Sequence, residues 1–116
     1  MELKIVNTEN KRDKYKGRYK EYQRNHWLMA TYGITTEEYN QMLVDQDFSC
    51  GICGKHMSEQ KVRLHVDHDH SYTMPNPKAI RGLLCSTCNT GIGGLQDNIE
   101  LLESAVMWLK NFEDNK

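Results

Sequence analysis

Cys50-Gly51-Ile52-Cys53 and Cys85-Ser86-Thr87-Cys88 are two CxxC pairs in one short chain. Two intervening residues let a tight turn bring both sulfurs to one ion, and two such pairs complete a tetrahedral, all-sulfur zinc site. The pairs are separated by 31 residues, wider than a minimal ribbon, so something is inserted between them. Gly51 and Gly54 suit the knuckle turn. Two disulfides or a redox CxxC are the competing readings; two pairs in a small chain with little apolar material favour zinc. Four sulfurs close the coordination sphere, so this zinc is structural, and a catalytic metal must rest on other residues.

Those other residues stand inside the insert. Asp67-His68-Asp69-His70 places four ionisable groups in a row, and burying them all without a purpose would be costly. One reading is a solvated turn. The other is a hydrolytic metal site. An oxygen ligand such as Asp67 suits a hard ion like Mg²⁺, and a neighbouring neutral histidine can take a proton from water near neutral pH. Successive strand residues point to opposite sides, so ligand and base reach one phosphate only where the strand ends. Asn89, next to Cys88, is the candidate third group, with an amide oxygen suited to a hard ion and a position fixed by the zinc.

The segments CGIC, LHVDHDH and IRGLLCSTCNTGIGG, in that order, resemble the phage recombination endonuclease VII family, part of the His-Me finger (HNH-like, ββα-metal) nucleases. The resemblance covers about residues 48–98. It implies that Cys50, Cys53, Cys85 and Cys88 hold structural zinc. It implies that Asp67 and Asn89 ligate a catalytic Mg²⁺ or Mn²⁺, that His68 is the general base, and that His70 assists near the scissile phosphate. The implied reaction is phosphodiester hydrolysis leaving 5′-phosphate and 3′-hydroxyl ends. Arg81 either donates to a phosphate oxygen or faces solvent. The family's glutamate shortly after the asparagine has no counterpart in Thr90-Gly91-Ile92-Gly93.

The elements that must carry these groups can be read from periodicity. Residues 1–10 read as irregular, and residues 11–32 as a helix. Tyr15, Tyr19, Tyr22, His26 and Met29 recur at spacings of a single helix face, read mainly as core, while Lys16, Lys20 and Arg24 form a second stripe. Gly33 reads as a stop, and Thr35 to Glu38 as a capping box opening a helix over 36–46. Val62–Val66 alternates as a half-buried strand, and residues 80–84 are its hairpin partner across a proline-bearing loop. A short helix starts near Ser86 and ends at Gly91, Gly93 and Gly94. A last helix follows Asp97 as N-cap, with Ile99, Leu102, Val106 and Leu109 as its core face.

The chain has 116 residues, 38% of them apolar, and a net charge of −1. That is one domain's length with a poor supply of core, which often needs a staple. The average charge hides a basic arm: residues 11–24 hold seven basic residues against two acids, whereas residues 35–49 hold four acids and no base. Lys16, Arg18, Lys20 and Arg24 are the candidate DNA-backbone contacts, and the interleaved tyrosines could stack on bases or pair two copies of the chain. No segment is apolar enough for a membrane span or a signal peptide, so a cytoplasmic setting in a bacterium or phage-infected host is expected.

The expected architecture is small α+β: an N-terminal helical arm over 1–47, then a zinc-stapled ββα-metal core with its C-terminal helix over 48–116. The expected function is a divalent-metal-dependent DNA endonuclease, nicking or selective for branched structures. The alternatives are a non-catalytic four-cysteine zinc module binding nucleic acid and a protein-interaction zinc finger; the latter gives no reason for the Asp-His-Asp-His run or the basic helix.

Overall fold

The computed structural model describes the backbone of residues 2–116 and the side chains of residues 17–116. Four helices and one two-stranded antiparallel sheet follow the order α1 (Glu2–Tyr32), α2 (Thr36–Asp45), β1 (His65–His68), β2 (Ile80–Leu84), α3 (Ser86–Gly94) and α4 (Ile99–Asp114). The fold is α+β, as expected. The contacts divide it into two compact units: residues 1–42 with 68–80, and residues 43–67 with 81–116. This grouping interleaves along the chain, whereas the sequence-based division at residue 47 follows chain order.

In the first unit, α1 takes in residues 2–10, which the sequence reading left irregular. No proline or glycine occurs before Gly17 to break it, and a helix can continue without an amphipathic pattern where neither breaker intervenes. The tyrosine face is not the core. Tyr19 and Tyr22 are 64% and 69% exposed, and Leu28, fully buried, is the anchor instead. Tyr15 and Lys16 lie outside the described side chains. Gly33 ends α1 at φ 78°, donating its N–H to Met29 O at 2.9 Å, the left-handed cap that glycine adopts at least cost.

The next helix is opened by a reciprocal capping box. Glu38 N donates to Thr35 Oγ1 at 3.1 Å, and Thr35 N to Glu38 Oε1 at 3.0 Å. Ile34 and Tyr39, the flanking positions of a hydrophobic staple, are both buried. Asn25 Oδ1 accepts from Thr36 N at 2.9 Å, tying the start of α2 to α1.

In the second unit the core is Leu43, Leu64, Val66, Leu83 and Leu84, with Cys50 and Cys85. Phe48, Ser49 and His56 form the collar of the first cysteine knuckle: Met57 N donates to Phe48 O, Cys50 N to Lys55 O, and Ser49 pairs with His56 in an isolated bridge. His56 caps the short 3-10 turn Met57–Glu59, its Nδ1 accepting from Ser58 N at 3.1 Å.

The strand β1 lies about three residues later than its alternation pattern suggested. Residues 62–64 are outside it, and Asp67 and His68 are its last two residues. Val66 and Asp67, on opposite faces, are both buried, so a half-buried period of two was the wrong template.

α4 also departs from expectation. Its N-cap is Asn98, which accepts from Leu101 N at 3.1 Å; Asp97 is used elsewhere. The face expected to be core is largely open, with Ile99 at 72%, Val106 at 50% and Leu109 at 66% exposure.

Candidate metal centre and strand-end site

The four cysteines come together. Their Sγ atoms lie within 4.8 Å of one another, and Cys53 Sγ is 3.8 Å from Cys85 Sγ. Zinc–sulfur bonds of about 2.3 Å in a tetrahedron set sulfur–sulfur edges of about 3.8 Å, so the cluster has the size a zinc ion requires. The first knuckle supplies Cys50 and Cys53. The second is the start of α3, where Cys85 is the N-cap and its sulfur accepts from Cys88 N at 3.4 Å.

Electrostatics inside the cluster is uneven. Burial opposes ionisation of Cys50, but backbone N–H groups of Cys85, Cys53 and Ile52 outweigh it and lower the Cys50 thiol to about 6. Burial, with the neighbouring sulfurs, pushes Cys88 up. Among the described residues, this is the one group of three or more histidine, cysteine or acidic side chains placed to hold a metal.

Asp67, in the same unit, is 8% exposed, and Arg81 on β2 grips it. Arg81 Nε donates to Asp67 Oδ2 at 2.8 Å and an Arg81 terminal nitrogen to Asp67 Oδ1 at 2.9 Å. That same terminal nitrogen donates to Asp97 Oδ2 at 3.0 Å. The hydrogen bond to Asp67 is the largest influence raising the Arg81 pKa, against burial, with Asp97 adding to it. Neither sequence reading of Arg81, phosphate donor or solvent-facing residue, anticipated this fork–fork pair. Asp97 reaches it from a tight corner in which Gln96 and Asp97 sit at φ 61° and 52°. Each Asp67 oxygen retains a further lone pair, so the carboxylate keeps acceptor capacity beyond the clamp.

Gln46 braces the same strand. Its Nε2 donates to Ser49 O and Leu83 O, both at 2.9 Å, while Leu83 N donates to its Oε1 at 2.9 Å. One side chain thus satisfies both backbone groups of Leu83, as a neighbouring strand would. Gly82 makes room for it: a Cβ there, at φ 151°, would stand 2.9 Å from Gln46 Oε1. The sequence signal was the glycine inside a strand; Gln46 itself gave none. Asn89 is the fourth residue of α3, half-buried, with its backbone N–H on Cys85 O at 2.9 Å.

His68 and His70 belong to the first unit. Their ring centroids are 4.4 Å apart, and Tyr32 lies against His68 at 5.8 Å. Burial raises the Tyr32 pKa, keeping the phenol protonated. Of the candidate DNA contacts, Arg18 and Lys20 are exposed. Arg24 stacks over the Tyr39 ring at 4.6 Å. Among the described residues no helix is long and apolar enough to cross a membrane.

Two comparisons bear on what this arrangement is. The Gene 59 protein of Mycobacterium phage D29 is 43% identical over 84 residues, 72% of this chain and 47% of that protein. The Gene 59 protein of Mycobacterium phage L5 is 41% identical over 85 residues, again 72% of this chain and 48% of its own length. The chain therefore spans about half the length of these relatives. The family profile of recombination endonuclease VII matches residues 25–111, a stretch that includes all four cysteines, the Asp-His-Asp-His run, Arg81 and Asn89. On that match, the chain belongs to the recombination endonuclease VII family.

Proposed function

We propose that this protein is a divalent-metal-dependent DNA endonuclease with a His-Me finger core, nicking DNA or selective for branched structures. The observation that carries this reading is Asp67. It is a buried carboxylate at the end of β1, oriented by two charge-assisted bonds and followed directly by His68, within a family match that spans both.

In this mechanism His68 removes a proton from the attacking water. Asp67 and Asn89 would hold Mg²⁺ or Mn²⁺, their oxygen donors suiting a hard ion. When bound, that ion supplies charge stabilisation at the phosphoryl and departing 3′ oxygens. His70 assists beside His68. Cys85 and Cys88, when holding zinc, would fix the start of α3 and hence the backbone that carries Asn89. Arg18 and Lys20 meet the DNA backbone, joined by Lys16. The exposure of Tyr19 and Tyr22 supports stacking on unpaired bases or pairing with a second copy of the chain. The host-cell cytoplasm is the proposed setting.

One observation favours a second reading, a non-catalytic zinc module that binds nucleic acid: both oxygens of Asp67 already accept from Arg81. Cleavage of supercoiled plasmid and of a synthetic four-way junction, with Mg²⁺ or Mn²⁺, separates the two. Zinc-loaded wild type should cleave and zinc-loaded His68→Ala should not; the faster substrate tells nicking from junction resolution. No cleavage of either substrate with either metal overturns the nuclease reading in favour of the binding module.

A further inference from the structure

We infer that Tyr32 is a positioning residue for His68: its ring sets the plane in which the imidazole meets the attacking water. The inference rests on the nuclease reading of His68. A histidine's outer torsion is broad and roughly two-fold, so an imidazole left to itself presents its nitrogens over a wide arc. Here two rings confine it. Tyr32 stands 5.8 Å away, tilted by 58°, and His70 stands 4.4 Å away, tilted by 49°. His70 is exposed and sits on the turn that follows β1. Tyr32 is half-buried and is itself backed by Trp27, whose ring meets it edge-on at 5.6 Å and 88°.

The backbone that carries Tyr32 is fixed as well. It is the last residue of α1, and the next residue, Gly33, turns at φ 78°. A Cβ on Gly33 would lie 3.0 Å from Pro77 Cδ and 3.6 Å from Asn76 N. The chain therefore closes on the loop after β1 at the point where α1 ends. Asp69 N donates to Ala79 O at 2.8 Å, which anchors the other side of that loop. Helix end, loop and histidine thus pack together, with Tyr32 in ring contact with both Trp27 and His68. A base held in its productive orientation reacts faster without binding substrate more tightly, so the signature of Tyr32 is in kcat.

The test uses zinc-loaded protein and the plasmid assay, with Tyr32→Leu and Tyr32→Phe. Zinc content and thermal midpoint certify folding. Tyr32→Leu should lower kcat about tenfold with KM unchanged within about twofold, and Tyr32→Phe should stay near wild type, because the contact with the imidazole is one between rings and phenylalanine keeps the ring. The His68 Cε1 proton resonance should move in Tyr32→Leu and hold in Tyr32→Phe. Wild-type kcat in Tyr32→Leu, or an equal loss in Tyr32→Phe, overturns the inference while leaving the nuclease intact. A wild-type protein that cleaves nothing overturns the nuclease reading, and this role with it. Should Tyr32→Leu fail to fold, the wild-type protein still decides: cross-relaxation between the Tyr32 ring protons and His68 Cε1–H is expected, and its absence refutes the contact.

Discussion

Arg81 holds Asp67 by both carboxylate oxygens, at 2.8 and 2.9 Å, and is held in turn by Asp97 at 3.0 Å. The pair joins the two strands of the hairpin at the place where the candidate metal ligand sits. Asp67 is buried, whereas the Arg81 side chain is 38% exposed. The interaction therefore stands between a surface pair, worth little, and a buried one whose single-sided removal is costly.

Arg81→Ala should destabilise the zinc-loaded protein by about 2 kcal/mol, less than for a fully buried pair because water reaches the guanidinium. Asp67→Asn in the same background should recover part of that loss, since no bare carboxylate is then left in the strand. Urea unfolding of the two single variants and the double variant measures the coupling. A loss below about 0.5 kcal/mol for Arg81→Ala would place the pair among ordinary surface contacts.

Gln46 offers a sharper test, because it serves a backbone on both its donor and acceptor sides. Gln46→Ala leaves Leu83 N without its partner, while Leu83 O keeps the bond from Gly51 N at 3.1 Å, and should cost about 1–3 kcal/mol. Gln46→Glu should be at least as damaging at neutral pH, because a carboxylate cannot donate to the carbonyls of Ser49 and Leu83. Protonation restores one donor. The folded state then binds a proton that the unfolded state releases, so the carboxyl pKa is raised on folding and stability rises as pH falls. Thermal midpoints of the two variants at neutral and mildly acid pH should converge or cross; parallel pH curves would refute the bridging role.

These two residues show where sequence reading stops. The cysteine pairs and the Thr35–Glu38 capping box were legible because each is defined by neighbours within three or four positions. The Asp67–Arg81 pair spans fourteen residues and the Gln46–Leu83 pair thirty-seven, and neither leaves a local pattern. β1 was misplaced because Asp67 is a buried charge, paid for by a partner on another strand, and a polar residue inside a strand reads as its end. The Tyr19–Tyr22 face and the α4 face were read as core from spacing alone; periodicity marks a common side, not what covers it.

Metal removal should separate the two kinds of order in the chain. The four sulfurs lie within 4.8 Å, and a structural zinc contributes on the order of 10 kcal/mol or more of folding energy. Native mass spectrometry should find one zinc per chain. A strong chelator should abolish the cooperative unfolding transition, and readdition of zinc should restore it. Because zinc holds thiolates, protons compete with it, and the midpoint for zinc release should move to lower chelator concentration as pH falls. A chelated protein with an unchanged transition would show that the cysteines are not a structural centre.

The basic helix yields a prediction that does not depend on catalysis. Lys20 is exposed on α1, whereas Arg24 is stacked on Tyr39 at 4.6 Å. If the stripe follows a DNA backbone, each phosphate contact releases counterions, and log Kd depends on log salt with a slope of about 0.9 per contact on duplex DNA. Lys20→Ala should weaken binding uniformly across sequences and lower that slope by about 0.9. Arg24→Ala should lower the thermal midpoint through lost packing and change the slope less. Fluorescence anisotropy over a salt series, on the zinc-loaded His68→Ala protein to prevent cleavage, reads both. An unchanged slope in Lys20→Ala would move the DNA contact off this helix face. A slope change confined to Arg24→Ala would mean that the Tyr39 stack opens when DNA binds.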